Sequence, residues 1–283
     1  MTTVDILNKF DQSKYRVLIM AHYHSKGLVR TDTLQLLNEA RHHFHRVIFV
    51  STNLNQGMKL NMPEHVEVIE RDNIGYDFYS YRYGLTMLRE NIKAWHQVDE
   101  VCLLNSSFLC FDAQKFYENF LGKVNGDHDA FGLVKSYEIA EHLQSYALLF
   151  KSGVLKNQRF LDWWDSMQPI NERQKVIENY EIGLSRLIMG LGMELNAAFN
   201  HFDVEPNVEL DEAEQKNKSS MFGYINNNCN PSHFHWKNLL DNYSMIKIEV
   251  IKSNPFKMNL KYFVDYVNKD KRYGDITLEG MSN

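Results

Sequence analysis

Residues 66–85 read VEVIERDNIGYDFYSYRYGL, and a strand, a turn and a helix meet there. VEVIE alternates apolar and charged positions with a period of two, which predicts a strand. In the loop RDNIGYD, residues 71–77, Gly75 suits a tight turn or a close backbone approach to a ligand. A helix is predicted from about Phe78 to Asn91, with Asp77 placed to cap it. Upstream, residues 15–22 (YRVLIMAH) and 45–51 (HRVIFVS) are apolar runs of the kind that form strands buried on both faces. Residues 31–43 set Leu34, Leu37 and Ala40 at helical spacing. Residues 100–104 (EVCLL) predict a fourth strand, ending in Asn105, Ser106 and Ser107. This alternation predicts an α/β fold with a doubly wound, mainly parallel sheet and flanking helices.

The second half predicts strands over 129–135 and 144–151 and helices over 159–167, 174–191 and 235–243. Residues 209–220 read as a loop or exposed helix and 226–232 (NNNCNPS) as a turn cluster. The polar tail from Lys269 is expected to fray. The organisation expected is an α/β catalytic domain over 1–225 and a C-terminal helical extension, 226–283, packed on it.

The formal net charge of −5 gives no general pull on nucleic acid, so that partner is excluded. Three cysteines supply neither a disulfide framework nor a metal spacing, and they fit a reducing compartment. Residues 1–10 lack the apolar core of a signal peptide, and no stretch reaches the length of a spanning helix. A cytoplasmic protein is expected, with contact at the inner face of the membrane left open. Aromatic residues around Phe234, Trp236, Tyr262, Phe263 and Tyr266 could serve that contact, though packing on the main domain explains them as well.

In sheets of this class ligands sit at the carboxyl ends of the strands. That rule selects four polar segments: His22 to Gly27, which includes Tyr23, Ser51 to Asn53, Arg71 to Asp77 and Asn105 to Phe108. Arg71 can meet a diphosphate with two parallel hydrogen bonds. Asn73 and Asp77 can bond sugar hydroxyls, although a plain capped turn would read the same. Mg²⁺ or Mn²⁺ prefers carboxylate oxygens, and nucleotide-sugar enzymes often carry an aspartate pair where this chain has Asn105, Ser106 and Ser107. No metal ligand is therefore assigned: either the metal is absent or the carboxylate comes from elsewhere, such as Asp77 or Asp112. His142 and Gln144 alternate, which would put them on one strand face to orient a sugar or acceptor. Glu181, in an apolar helical stretch, is expected to have a raised pKa suited to a general base; an ion pair with Arg186 or an exposed helix face is the structural alternative.

In order along the chain, MAHYHSKG, RVIFVSTN, ERDNIGYDFYSYRYGL, VCLLNSSF, HLQSYALLFK, FLDWW, YEIGLSRLIMGLG and NPSHFHWKNLL resemble the rhamnan synthesis protein F family of bacterial polysaccharide glycosyltransferases. The resemblance implies a glycosyltransferase A-like fold. It implies Glu181 as catalytic base, and Arg71, Asn73 and Asp77 as donor-site residues beside Gly75, Asn105, Ser106 and Ser107. The implied partners are a nucleotide-diphospho-sugar, with dTDP-rhamnose the first to test, and a saccharide or lipid-linked saccharide acceptor. The missing acidic residue in the 105–107 segment puts metal dependence in doubt. It also leaves a second reading, a binding or scaffold domain of a polysaccharide assembly complex.

Overall fold

The computed structural model describes residues 14–90, 92–124 and 128–282. The segment 1–10 read as lacking a signal peptide and the helix end expected at Asn91 lie outside these residues. Strands β1 (Arg16–His22), β2 (Arg46–Ser51), β3 (Val66–Glu70) and β4 (Glu100–Asn105) lie in the order β3-β2-β1-β4, all parallel. All seven residues of β1 are buried. Leu18 and Met20 enter one core layer and Val17, Ile19 and Ala21 the other, as the two-residue period requires. That double covering is why the strand reads as an unbroken apolar run.

The sheet continues through β6 (Ala130–Ser136), β7 (His142–Leu143), β8 (Ala147–Lys151) and β9 (Leu195–Phe199). β8 pairs antiparallel with β4 and β6, β7 pairs antiparallel with β6, and β9 pairs parallel with β6. A separate antiparallel pair joins β5 (Phe108–Cys110) to β10 (Met245–Lys247). The expected α/β architecture with a mainly parallel sheet and flanking helices is present.

The helix Tyr76–Glu90 packs on β1 and β2. It buries Phe78, Tyr81, Leu85 and Leu88, spaced as one helical face. Gly84 lets its backbone come close to the sheet, because a Cβ there would lie 2.5 Å from Ile19 Cγ2. The single helix expected over 174–191 is instead an α-helical turn, Arg173–Val176, a π-helical turn, Ile177–Glu181, and an α-helix, Ile182–Gly190. The π-turn ends on Glu181; such turns are rare and frequent at functional sites.

Two expectations are corrected in the C-terminal part. The helix Lys218–Asn228 runs into the 226–232 cluster, and Asn230 then caps a short helix, Pro231–Phe234. The tail does not fray: Lys271–Met281 is a helix. Ile276 is buried, and the Glu279 carboxylate accepts from the Thr31 N–H at 2.5 Å and hydroxyl at 2.7 Å. The tail is polar because one face meets water, while Ile276 on the other joins Leu109, Phe111, Trp236, Leu240, Ile246, Val250 and Phe263 in a third core. No described helix is long and apolar enough to cross a membrane.

Candidate functional site

The parallel strands bring the carboxyl ends of β1, β2, β3 and β4 to one edge, where the polar loops collect. A cavity of about 570 Å³ opens there, lined among others by His22, Tyr23, Arg71, Asn73, Gly75, Asp77, Ser106 and Ser107. A second cavity of about 160 Å³ is lined among others by Asn105, Gln144, Ser145, Glu181 and Lys247. Tyr76, Asp77 and Ser107 line both. The turn at Asn73 and Glu181, far apart in sequence, thus line two adjoining cavities that share three residues. His142 lies behind it, in contact with Glu181.

The RDNIGYD turn is built around Arg71. Its Nε and Nη2 donate to Ser80 Oγ at 2.9 and 2.7 Å, Nη1 to the Asp72 and Ile74 carbonyls at 2.7 and 2.5 Å, and Nη2 to the Tyr76 carbonyl at 2.5 Å. All five guanidinium N–H groups are committed. The expectation that Arg71 offers a fork to a diphosphate is therefore revised: it clamps the turn. Gly75 has φ +73°, and a Cβ there would lie 2.7 Å from Tyr79 Cβ. Its N–H, also expected to meet a ligand, donates to Asn171 Oδ1 at 3.0 Å. Tyr76 follows at φ +52°, a left-handed conformation uncommon for its type, and its ring is exposed at the cleft. His22 is buried with Nδ1 2.9 Å from Ser51 Oγ, and burial pulls its pKa down to about 3. It is a neutral wall of the cavity.

The strand end 105–107 carries a chain of hydrogen bonds. Lys247 Nζ donates to Ser107 Oγ at 2.7 Å, Ser107 Oγ to Asn105 Oδ1 at 2.6 Å, and Asn105 Nδ2 to Asp77 Oδ2 at 2.8 Å. From below, Arg30 is paired with Asp32 and donates to the Ser106 and Phe108 carbonyls at 2.9 and 2.8 Å. Asp32 in turn accepts from the Cys110 N–H at 3.1 Å. Burial pushes the Asp77 pKa up to about 6, against the pull of Lys247 and Arg71. Burial draws Lys247 down to about 8, against the attraction of Glu181 and Asp77.

Glu181 departs from expectation. Ser145 Oγ donates to its Oε2 at 2.5 Å, and His142 Nε2 lies 3.2 Å from its Oε1. His142 Nδ1 meets the Ala140 carbonyl at 2.7 Å, so both ring nitrogens face acceptors and the imidazolium is favoured. Burial raises the Glu181 pKa, but His142, Ser145 and Lys247 together outweigh it and leave the carboxyl below its ordinary value. The partner is His142, not Arg186. His142 and Gln144 also do not act as a matched pair: Gln144 Nε2 donates to Asn230 Oδ1 at 2.8 Å and its Oε1 accepts from Ser232.

A family model described as rhamnan synthesis protein F matches residues 47–271. The chain belongs to that family. Among curated relatives, it is similar to the uncharacterized protein y4gN of Sinorhizobium fredii, 26% identical over 203 residues, covering 66% of this chain and 49% of that protein. It is similar to the virulence protein VirA of Vibrio anguillarum, 25% identical over 206 residues, covering 66% of this chain and 62% of that protein. The chain thus spans only about half to three-fifths of these relatives. Among solved structures it is similar to 4-diphosphocytidyl-2C-methyl-D-erythritol synthase from Anaerococcus prevotii, with 8% identity, TM-score 0.43, and 75% and 99% of the two chains covered. It is also similar to the glycosyltransferase GlyE of Streptococcus pneumoniae, with 10% identity, TM-score 0.41, and 75% and 51% covered.

Nucleotide-sugar enzymes often hold a divalent cation at the strand end that reads 105–107 in this family member. The 105–107 segment offers one amide and two hydroxyls. Asn105 Oδ1 is filled by two Ser107 donors, and the Lys247 ammonium occupies Ser107 Oγ. Among the described residues, no group of three or more His, Cys, Asp or Glu could hold a metal. A hard dication wants several carboxylate oxygens and no ammonium among them, so this donor set does not fit one. Lys247, Ser145, Arg30 and Asn171 were not singled out from sequence. The signal for Lys247 was a lone cation in the apolar run MIKI, residues 245–248.

Proposed function

We propose that the chain is an inverting glycosyltransferase. It moves rhamnose or a similar hexose from a nucleotide-diphospho-sugar to a saccharide or lipid-linked saccharide acceptor of a cell-surface polysaccharide, on the cytoplasmic side. One observation carries the reading: Asp77, Tyr76 and Ser107 line both cavities, so the RDNIGYD turn and Glu181 serve one cleft. The larger cavity suits the donor, with Asn73 and Asp77 beside the sugar. The smaller cavity admits the acceptor hydroxyl next to Glu181. The acceptor oxygen attacks the anomeric carbon while the bond to the diphosphate oxygen breaks. The diphosphate leaves with the electron pair, and the acceptor proton passes to the Glu181 carboxylate.

A second assignment of the base has its own support. Asp77 also lines the acceptor cavity, and its pKa of about 6 makes it the stronger base of the two. The test is transfer from dTDP-rhamnose, UDP-sugars and GDP-sugars to saccharide acceptors, with product configuration read by NMR. Inversion is expected. Glu181→Gln should cut turnover by about 10²–10⁴-fold while leaving donor binding nearly unchanged. Retained configuration would overturn the inverting mechanism. Full turnover in Glu181→Gln with loss in Asp77→Asn would move the base to Asp77. Nucleotide-sugar binding without transfer to any acceptor would favour a scaffold.

A further inference from the structure

The place where a nucleotide-sugar site would hold a metal carries a positive charge of its own. β10 pairs with β5 in the register Lys247↔Phe108, which lays Lys247 against the strand end at 105–107. Its ammonium sits 2.7 Å from Ser107 Oγ and 4.3 Å from the centre of the Tyr146 ring. Both close partners are neutral, and among the described residues Lys247 makes no ion pair within 4.0 Å. Only one of its three N–H donors is used by a hydroxyl, so charge and donors remain for an anion. Lys247 lines the smaller cavity, and its hydroxyl partner Ser107 lines both, so the ammonium stands beside the wall that the two cavities share. In the proposed transfer the anomeric carbon and the departing diphosphate meet there. The guanidinium expected for that task, Arg71, is spent on its own loop, and the donor set does not fit a dication.

We propose that the Lys247 ammonium is the resident counter-charge for the donor diphosphate, so that nucleoside diphosphates bind this cleft without a divalent cation. The proposal rests on the nucleotide-sugar reading above. Lys247 takes over the metal's electrostatic part: it attracts the diphosphate and stabilises the negative charge that grows on the leaving oxygen. Asp77 and Glu181 then act as counter-ions to the lysine before donor arrives, which keeps a half-buried cation compatible with the fold.

The experiment is calorimetric titration of the full chain with UDP, dTDP, GDP and CDP, in EDTA and again with Mn²⁺. The expected result is binding of at least one nucleotide with Kd equal within about twofold in the two buffers. Lys247→Met should weaken that binding about 10- to 100-fold, the loss of a charge-assisted bond, with no recovery in Mn²⁺. Lys247→Arg should stay within about tenfold of the wild type. Circular dichroism checks that each variant folds, and the wild-type comparison decides even where Lys247→Met does not. Wild-type binding that appears only with Mn²⁺, or Lys247→Met binding as tightly as wild type, overturns the proposal and leaves the transferase reading standing. Wild-type protein that binds none of the four in either buffer overturns both.

Discussion

Asp77 and Glu181 are two carboxylates of one cleft held in opposite electrostatic states. Asp77 is raised because burial outweighs its cationic neighbours, while Glu181 is lowered because His142 and Ser145 outweigh burial. This split makes the base identifiable by pH. If Glu181 takes the proton, kcat/KM should stay flat as pH falls through 6 and drop only below the ordinary carboxylate range. If Asp77 does, kcat/KM should fall about tenfold per pH unit below about 6. His142→Gln sharpens the test. Removing the imidazolium lets the Glu181 pKa rise, so an acid limb owned by Glu181 must move to higher pH and one owned by Asp77 must stay. On the alkaline side Lys247 has to be protonated to hold an anion. The profile should decline above about 8, and that decline should move to higher pH in Lys247→Arg. The groups that set this limb are Glu181, Asp77 and Glu249, which favour the cation, and Arg173, which opposes it.

At the scale of elements, the decisive piece is the turn between β3 and the helix Tyr76–Glu90. Gly75 is needed twice, once for φ +73° and once because a Cβ would meet Tyr79 at 2.7 Å and Pro169 at 3.2 Å. Gly75→Ala should cost about 1–3 kcal/mol in urea unfolding and weaken nucleotide binding in step, since Asn73, Tyr76 and Asp77 move with the turn. Arg71→Lys should behave similarly: an ammonium cannot serve Ser80 and three carbonyls at once. Its test separates clamp from ligand. A clamp lowers stability without any ligand present, whereas a diphosphate-binding arginine would lower affinity alone. The turn was legible from VEVIERDNIGYD because a glycine follows period-two alternation, although Asp77, expected to cap the helix, lies inside its first turn and accepts from Asn105 instead. Its inward-facing arginine was not, since the same side chain fits a diphosphate or three carbonyls equally well and only the path of residues 72–76 decides. β5 and β10 escaped notice for a simpler reason: three residues do not span enough of a period to be read.

In the whole molecule, the parallel half was readable because strands covered on both faces are written as apolar runs, and their shared direction fixed which loops converge. The C-terminal part was less so: a three-residue pairing and buried side chains scattered over several short helices, from Trp236 and Leu240 to Phe263 and Ile276, tie it down, and through that pairing it delivers Lys247 to the cleft. The same region contains a buried histidine that couples its packing to pH. His235 is fully buried, its Nε2 lies 2.9 Å from Asn226 Oδ1, and its Nδ1 has no hydrogen-bond partner among the described residues. Burial, with His201 nearby, pulls its pKa from 6.5 down to about 3. The folded chain therefore refuses a proton that the unfolded chain takes up below about 6.5. Stability from this group is complete above that value and is lost as pH falls toward the folded-state pKa, by about 1.4 kcal/mol per pH unit. Other groups titrate over the same range, Asp77 with the opposite sign, so the wild-type curve alone does not isolate the effect. The difference between wild type and His235→Gln does. Whatever the substitution costs at pH 7, the gap between the two unfolding free energies should shrink by about 2 kcal/mol at pH 5, because only the wild type forfeits the neutral imidazole. A gap that stays constant over that interval would mean that His235 takes up a proton in the folded protein as readily as in the unfolded chain, and that the C-terminal part packs around a charge.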